Sequence, residues 1–252
     1  MARFALHALL VVCVLTSGCS LFGPDYTRED RAVEALENAT STHSATDTYR
    51  FESHMTVTSA ADGRTERVDI ALTGTVDVAA RTLRQEAIRD SESRRTFVVN
   101  RTVYRECAPP WDGWAVEESD DTVQWVNRTP AVRQLSLLES GSLYWNGTET
   151  VDGDRAVVLT GEPSSDALTE YQDDQSRPLF GGPRIDGVEL RAWIDADTKR
   201  LLRTELRFTV SNRDNSATAT METTFSDYGE SVSIDVPSEA RTNQYNLGCP
   251  GE

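Results

Sequence analysis

The chain has almost no lysine. Lys199 stands alone, and the other fixed cations are arginines; together they number 25 against 41 aspartates and glutamates, for a formal charge of −16. No basic stripe remains to follow a phosphate backbone, so no nucleic acid is expected as a partner. Histidine is nearly as scarce, at His7, His43 and His54. No HExxH pair, paired-cysteine metal motif, GxSxG elbow, phosphate loop or dinucleotide fingerprint occurs, so no catalytic residue, metal or cofactor is expected, and the chain reads as a non-enzyme. Asp195 and Asp197 would suit calcium only in a longer loop pattern that is absent, and read as an acidic hairpin turn. Asp120-Asp121 and Asp173-Asp174 read as solvated loop charge.

Long apolar runs are missing too. The only sizeable one, Phe4 to Thr16, falls short of the roughly 20 residues that cross a bilayer. Arg3 precedes it, Ser17 and Gly18 follow, and then comes Cys19. A basic start, a short apolar stretch and small residues make an export signal over residues 1–18. Leu15-Thr16-Ser17-Gly18-Cys19 resembles the lipobox of bacterial and archaeal lipoproteins, although the leucine lies one place further back than usual. The resemblance implies cleavage before Cys19 and a lipid on its thiol. Residues 19–28 would form a lipidated tether, and 29–252 one domain held on the extracytoplasmic face of the cell membrane. A single acyl chain holds weakly, so stable anchoring implies two.

Of four cysteines, Cys13 leaves with the signal and Cys19 takes lipid. Cys107 and Cys249 remain, and an even pair in an exported chain suggests a disulfide. The acid-rich, lysine-poor composition is that of proteins from salt-loving organisms, where carboxylates hold water and salt screens their repulsion; a haloarchaeal source is expected. Asn38, Asn100, Asn127 and Asn146 open glycosylation sequons, read as surface decoration.

Two periodicities organise the rest. A helical pattern covers Arg28 to Thr42, with Ala32, Val33, Leu36 and Ala39 on one face and Thr27/Asp30 as a capping box. Pro130 to Glu139 is a second helix, capped by Thr129 and lined by Val132, Leu135 and Leu138, and Ser165 to Tyr171 a short third. Elsewhere the period is two. Tyr49, Phe51, Met55 and Val57 alternate with polar residues, as do Val68, Ile70, Leu72, Val76 and Val78. Leu83 to Ile88, Thr96 to Arg105, Gly141 to Thr150, Arg155 to Thr160, Val188 to Ile194, Leu206 to Val210 and Ala217 to Phe225 continue, and Val232, Ile234 and Val236 end the series. Short connections favour antiparallel pairing, and each strand offers one dry and one wet face. Gln172 to Gly187 reads as a long loop. Trp111, Trp114 and Trp125 rim a cavity mouth or pack as a lid.

Three segments resemble the late strands of LolA-like and LppX/LprG-like lipoprotein domains: Thr150 to Leu159, Val188 to Asp195, and Thr224 to Pro237. The resemblance implies an α+β fold, a strongly curved antiparallel sheet (an unclosed half-barrel) with two or three helices on its concave face, and a cavity for a lipid or other apolar ligand. Phe51, Met55, Leu135, Leu138, Phe208 and Met221 are the candidate lining, although apolar alternation equally builds a plain core. The function expected is a monomeric, membrane-anchored lipoprotein binding an apolar ligand; the alternative is a cell-surface protein-interaction module with a filled core.

Overall fold

A computed structural model describes residues 26–61, 64–118, 124–173, 184–212 and 215–251. The export signal, Cys19, Asp62, Gly63, Asp120-Asp121 and Asp174 lie outside the described residues.

Twelve strands form one sheet: β1 (Thr48–Ala61), β2 (Arg64–Asp77), β3 (Thr82–Arg89), β4 (Glu92–Val99), β5 (Thr102–Glu106), β6 (Trp114–Glu118), β7 (Ser142–Val151), β8 (Asp154–Glu162), β9 (Arg184–Asp195), β10 (Leu201–Asn212), β11 (Asn215–Ser226) and β12 (Gln244–Tyr245). Their order is β12-β6-β5-β4-β3-β2-β1-β11-β10-β9-β8-β7. Every pair is antiparallel except β12 on β6. The first and last strands do not meet, so the sheet is an open half-barrel. Helices α1 (Asp30–Ser44), α2 (Pro130–Glu139) and α3 (Ser165–Asp173) pack on its concave side; α4 (Glu239–Thr242) lies in the C-terminal tail.

Several local expectations give way to tertiary contacts. Thr27 and Asp30 form no capping box; Glu29 is the N-cap residue, without a side-chain bond. Thr27 is committed elsewhere, its carbonyl accepting the Leu143 N–H at 2.8 Å and its own N–H donating to Ser142 Oγ at 3.3 Å. Residues 27 and 28, drawn as the end of a tether, thus pair with the β7 edge, which the Glu29 carboxylate also covers by accepting the Trp145 N–H at 3.1 Å. Thr129 does not cap α2 with its hydroxyl, which closes the preceding 3₁₀ turn on the Val126 carbonyl at 2.7 Å. Thr96 to Arg105 is not one segment but the hairpin β4–β5, turned at Asn100 with φ +54°. Arg184 to Gly187 is not loop but the start of β9, where a register shift against Phe208/Thr209 takes up the irregularity.

Val232, Ile234 and Val236 alternate yet form no strand. The tail crosses the convex face instead, where Ile234, Val236 and Ala240 cover Phe97, Val99, Tyr104 and Trp114. The register explains the need. Phe97 opposes Arg84, which opposes Thr75, which opposes the exposed Arg50, so Phe97 faces away from the helices. The sheet's outer side is therefore not uniformly wet. A second dry patch there, Ala156, Val158 and Trp193, is roofed by charge: Arg191 and Arg203 lie 4.8 and 5.1 Å from the Trp193 ring, whose Nε1 donates to Glu149 at 2.7 Å. Cys107 and Cys249 are disulfide-bonded, with Cα atoms 5.4 Å apart, and pin the tail beside β6.

Candidate functional site

Alternation places one row of each strand on the concave face. On β1 these are Tyr49, Phe51, Ser53, Met55, Val57 and Ser59; directly opposite on β2 stand Val76, Gly74, Leu72, Ile70, Val68 and Glu66. The Phe51 ring fills the space over Gly74, where a Cβ would come within 2.2 Å of Cζ. Leu138 closes on Gly161 in the same way, at 2.7 Å. Missing side chains at these two points let ring and helix approach the backbone closely.

Coverage of this face is uneven. At one end Tyr49, Phe51, Val76, Leu201 and Phe225 are buried under α1 and α2 together with Leu36, Leu135 and Leu138. Further along β1 to β3 the helices stop, and Met55, Val57, Val68, Ile70, Leu72 and Ala87 are only half-buried. On the other flank Phe208, Val210, Ala217 and Ala219 are buried. The least covered apolar surface of the concave face is thus a strip across β1, β2 and β3.

A polar ladder crosses the deep part of this face. Gln134, buried on the inner side of α2, accepts from Thr204 Oγ1 and donates to Thr223 Oγ1 at 3.3 Å, and Thr223 shares a 2.8 Å bond with Ser53 Oγ. All four residues are buried, and the bonds meet the requirement that polar groups there be satisfied. His43 closes the far end. Its Nε2 accepts the Leu201 N–H at 2.8 Å, and its ring sits edge-on to Tyr49, Phe225 and Tyr228. Burial, with a smaller push from the Arg200 guanidinium, lowers its pKa from 6.5 to about 4. Burial raises the Tyr49 and Tyr228 hydroxyls, so both stay protonated.

The six candidate lining residues all face this side but divide by depth. Phe51, Leu135, Leu138 and Phe208 are buried in the continuous core, whereas Met55 and Met221, which oppose each other across β1 and β11, are half-buried. The strip itself is carried by Val57, Val68, Ile70 and Leu72, read from the sequence only as strand residues. The Ser53–Thr223–Gln134–Thr204 ladder was not legible at all, except that Gln134 interrupts the apolar side of α2. Of the tryptophans, Trp114 is buried in β6, Trp125 half-buried against the core, and Trp111 exposed. Asn38, Asn100, Asn127 and Asn146 are all exposed, but Thr129 of the third sequon is buried. Asp195 accepts the backbone N–H groups of Asp197 and Thr198 at 2.9 and 2.6 Å, as a turn residue does. Among the described residues no three His, Cys, Asp or Glu side chains are grouped to hold a metal.

No protein-family model matches the chain. One stretch of 93 residues is 32% identical to the lipoarabinomannan carrier protein LprG of Mycobacteroides abscessus, covering 36% of this chain and 35% of that protein. The chain therefore spans about a third of the length of this curated relative. Among solved structures, the lipoprotein LppX of Mycobacterium tuberculosis aligns over 82% of this chain and all of its own, at 16% identity and a TM-score of 0.46. LprF of Mycobacterium bovis aligns over 84% and 99%, at 14% identity and a TM-score of 0.47.

Proposed function

We propose that this chain is an extracytoplasmic lipoprotein, anchored in the membrane by lipid on Cys19, that binds a lipid or other apolar molecule against the concave face of its sheet without catalysing a reaction on it. The observation that carries this reading is the half-buried strip from Met55 to Leu72, where the helices leave apolar side chains short of cover. A guest lying there gains about 2.5 kcal/mol for every ~100 Å² of apolar surface it removes from water, before the cost of immobilising it. The stretch shared with LprG, a carrier of lipoarabinomannan by name, supports placement among the lipoprotein carriers.

The decisive experiment purifies the mature domain without its anchor, in high salt, and analyses a solvent extract by mass spectrometry. A stoichiometric lipid is expected. A clean extract with no uptake of a fluorescent fatty acid overturns the proposal and favours the protein-interaction module, a reading that the tight packing of Phe51, Leu135, Leu138 and Phe208 would suit. The strip is tested separately. Ile70→Glu sets a carboxylate in the half-buried row and is expected to weaken fatty-acid uptake at least tenfold. His54→Gln, on the exposed opposite face of β1, should leave uptake unchanged. Equal uptake by the two variants would move the ligand off this face.

The anchor has its own test. Cys19→Ser leaves no thiol to acylate, so the chain should accumulate unprocessed or appear in the medium. Persistence of the mature, tightly membrane-bound form would exclude Cys19 as the tether.

A further inference from the structure

The N-terminal segment joins the sheet in a definite direction. Arg28 bridges Leu143 in a parallel sense, Thr27 and Glu29 bond the Leu143 backbone, and Arg28 Nε donates to the Gly141 carbonyl at 3.2 Å. Going back from Arg28, Thr27 and Tyr26 thus run towards the start of β7. The register carries that level across the sheet: Leu143 opposes Gly161, then Leu190, Leu206, Met221, Met55, Ile70, Arg89 and finally Glu92. The tether therefore departs at the strand ends where the concave face is least covered, opposite the end closed by His43 and Tyr49.

Length decides what this direction means. Eight peptide steps separate Cys19 from Thr27, a reach of at most about 28 Å. To put the opposite end on the bilayer, those residues would have to reverse and run back along β7 to its Asp152 turn. That path, nine residues of strand, is about 30 Å and would take up the whole extended reach.

The surface agrees. Four large hydrophobic residues are exposed among the described residues: Tyr26, Ile88, Trp111 and Leu247. Tyr26 is where the tether emerges. Ile88 opposes Ser93 beside the β3–β4 turn. Trp111 sits in the β5–β6 connection, four residues past Cys107, whereas Leu247 follows β12, whose parallel pairing on β6 runs away from that connection. Tyr26, Ile88 and Trp111 belong to the tether end, and tyrosine and tryptophan are the side chains that settle at a membrane–water boundary.

We propose that this end of the half-barrel docks on the bilayer that holds the Cys19 lipid, so that the strip of Met55, Val57, Val68 and Ile70 opens towards membrane lipid and a guest passes between the two without crossing water. The proposal rests on the lipid-anchor reading above and goes beyond it by fixing the orientation of the domain.

The test uses the acylated full-length protein in vesicles of phosphatidylcholine and phosphatidylglycerol, with an environment-sensitive fluorophore on Ala60→Cys or on Glu230→Cys. Both sites are exposed, the first at the tether end of β1 and the second beside Thr48 at the other. The Ala60 probe should brighten at least threefold on membranes and be quenched by spin-labelled lipid, whereas the Glu230 probe should stay in water. Combining Ile88→Asp and Trp111→Asp, or inserting a 20-residue Gly-Ser spacer before Tyr26, should reduce the Ala60 response while the protein still floats with the vesicles. A floating protein whose two probes respond alike overturns the orientation and leaves the anchor standing. A protein that does not float removes the anchor and the orientation together. Fatty-acid uptake by the soluble domain reports on ligand binding independently of either.

Discussion

Replacing Cys107 and Cys249 together by serine should lower the stability of the domain by up to about 5 kcal/mol. The two residues are 142 apart in sequence, and closing a loop of that length removes about this much free energy from the unfolded chain in the entropy model. For a domain of this size such a loss corresponds to roughly 10–15 °C in Tm. The mechanism also has a local side. The bond holds the end of a tail whose Ile234, Val236 and Ala240 are the cover for Phe97 and Trp114, and whose Glu239 lies 4.0 Å from Arg95. Urea titration of the double variant, followed by tryptophan emission, is the measurement. A shared transition at much lower urea supports a tail that folds with the sheet. A loss below about 1 kcal/mol would mean the tail contributes little to the cooperative unit, because the entropic term would then be offset in the native state.

The sheet was legible because period two survives whatever packs against it. Met55, Met221 and Phe208 are each flanked by polar residues, and each, named as candidate lining, faces the concave side. The same signal misled at Val232 to Val236, where an alternating tail lies flat on the convex face and makes no ladder. Alternation records which side chains need cover and is silent on what supplies it. Capping motifs failed for a related reason. Thr27 and Thr129 carry the right chemistry for N-caps, but a β7 edge and a 3₁₀ turn compete for their polar groups, and neither competitor is visible within a few residues of sequence.

The candidate site was legible in direction and not in depth. Phe51 and Met55 stand four residues apart on one strand face, and nothing local distinguishes them; the reach of α1 and α2 along β1 does, leaving the first buried and the second half-covered. Gly74 and Gly161 set that reach by admitting Phe51 and Leu138 against the backbone. Gln134 was passed over because a single amide on an apolar helix face carries no pattern, although its bonds to Thr204 and Thr223 hold α2 over the join between β10 and β11.

His43 belongs to no motif in the sequence, and its environment gives it the second large effect. The neutral ring donates nothing to Leu201; it accepts that N–H through Nε2, so its own proton is on Nδ1, which is buried and has no hydrogen-bond partner. A second proton at Nε2 would face the Leu201 N–H and sit beside the Arg200 guanidinium, among the rings of Tyr49, Phe225 and Tyr228. The folded pKa of about 4 lies below the ordinary 6.5, so protonation favours the unfolded chain. Stability from this group is complete above pH 6.5 and is lost as the pH falls from 6.5 towards 4, by about 3 kcal/mol in all. Glu106 and Asp195 also have lowered values, but as carboxylates they lose their contribution at lower pH. Chemical denaturation at pH 7 and pH 4.5 should therefore show a marked drop in the wild-type chain. His43→Phe leaves the Leu201 N–H unpaired and should cost about 1–3 kcal/mol at pH 7, yet flatten the dependence between pH 4.5 and 6.5. A variant that keeps the full acid slope would place the titrating group elsewhere.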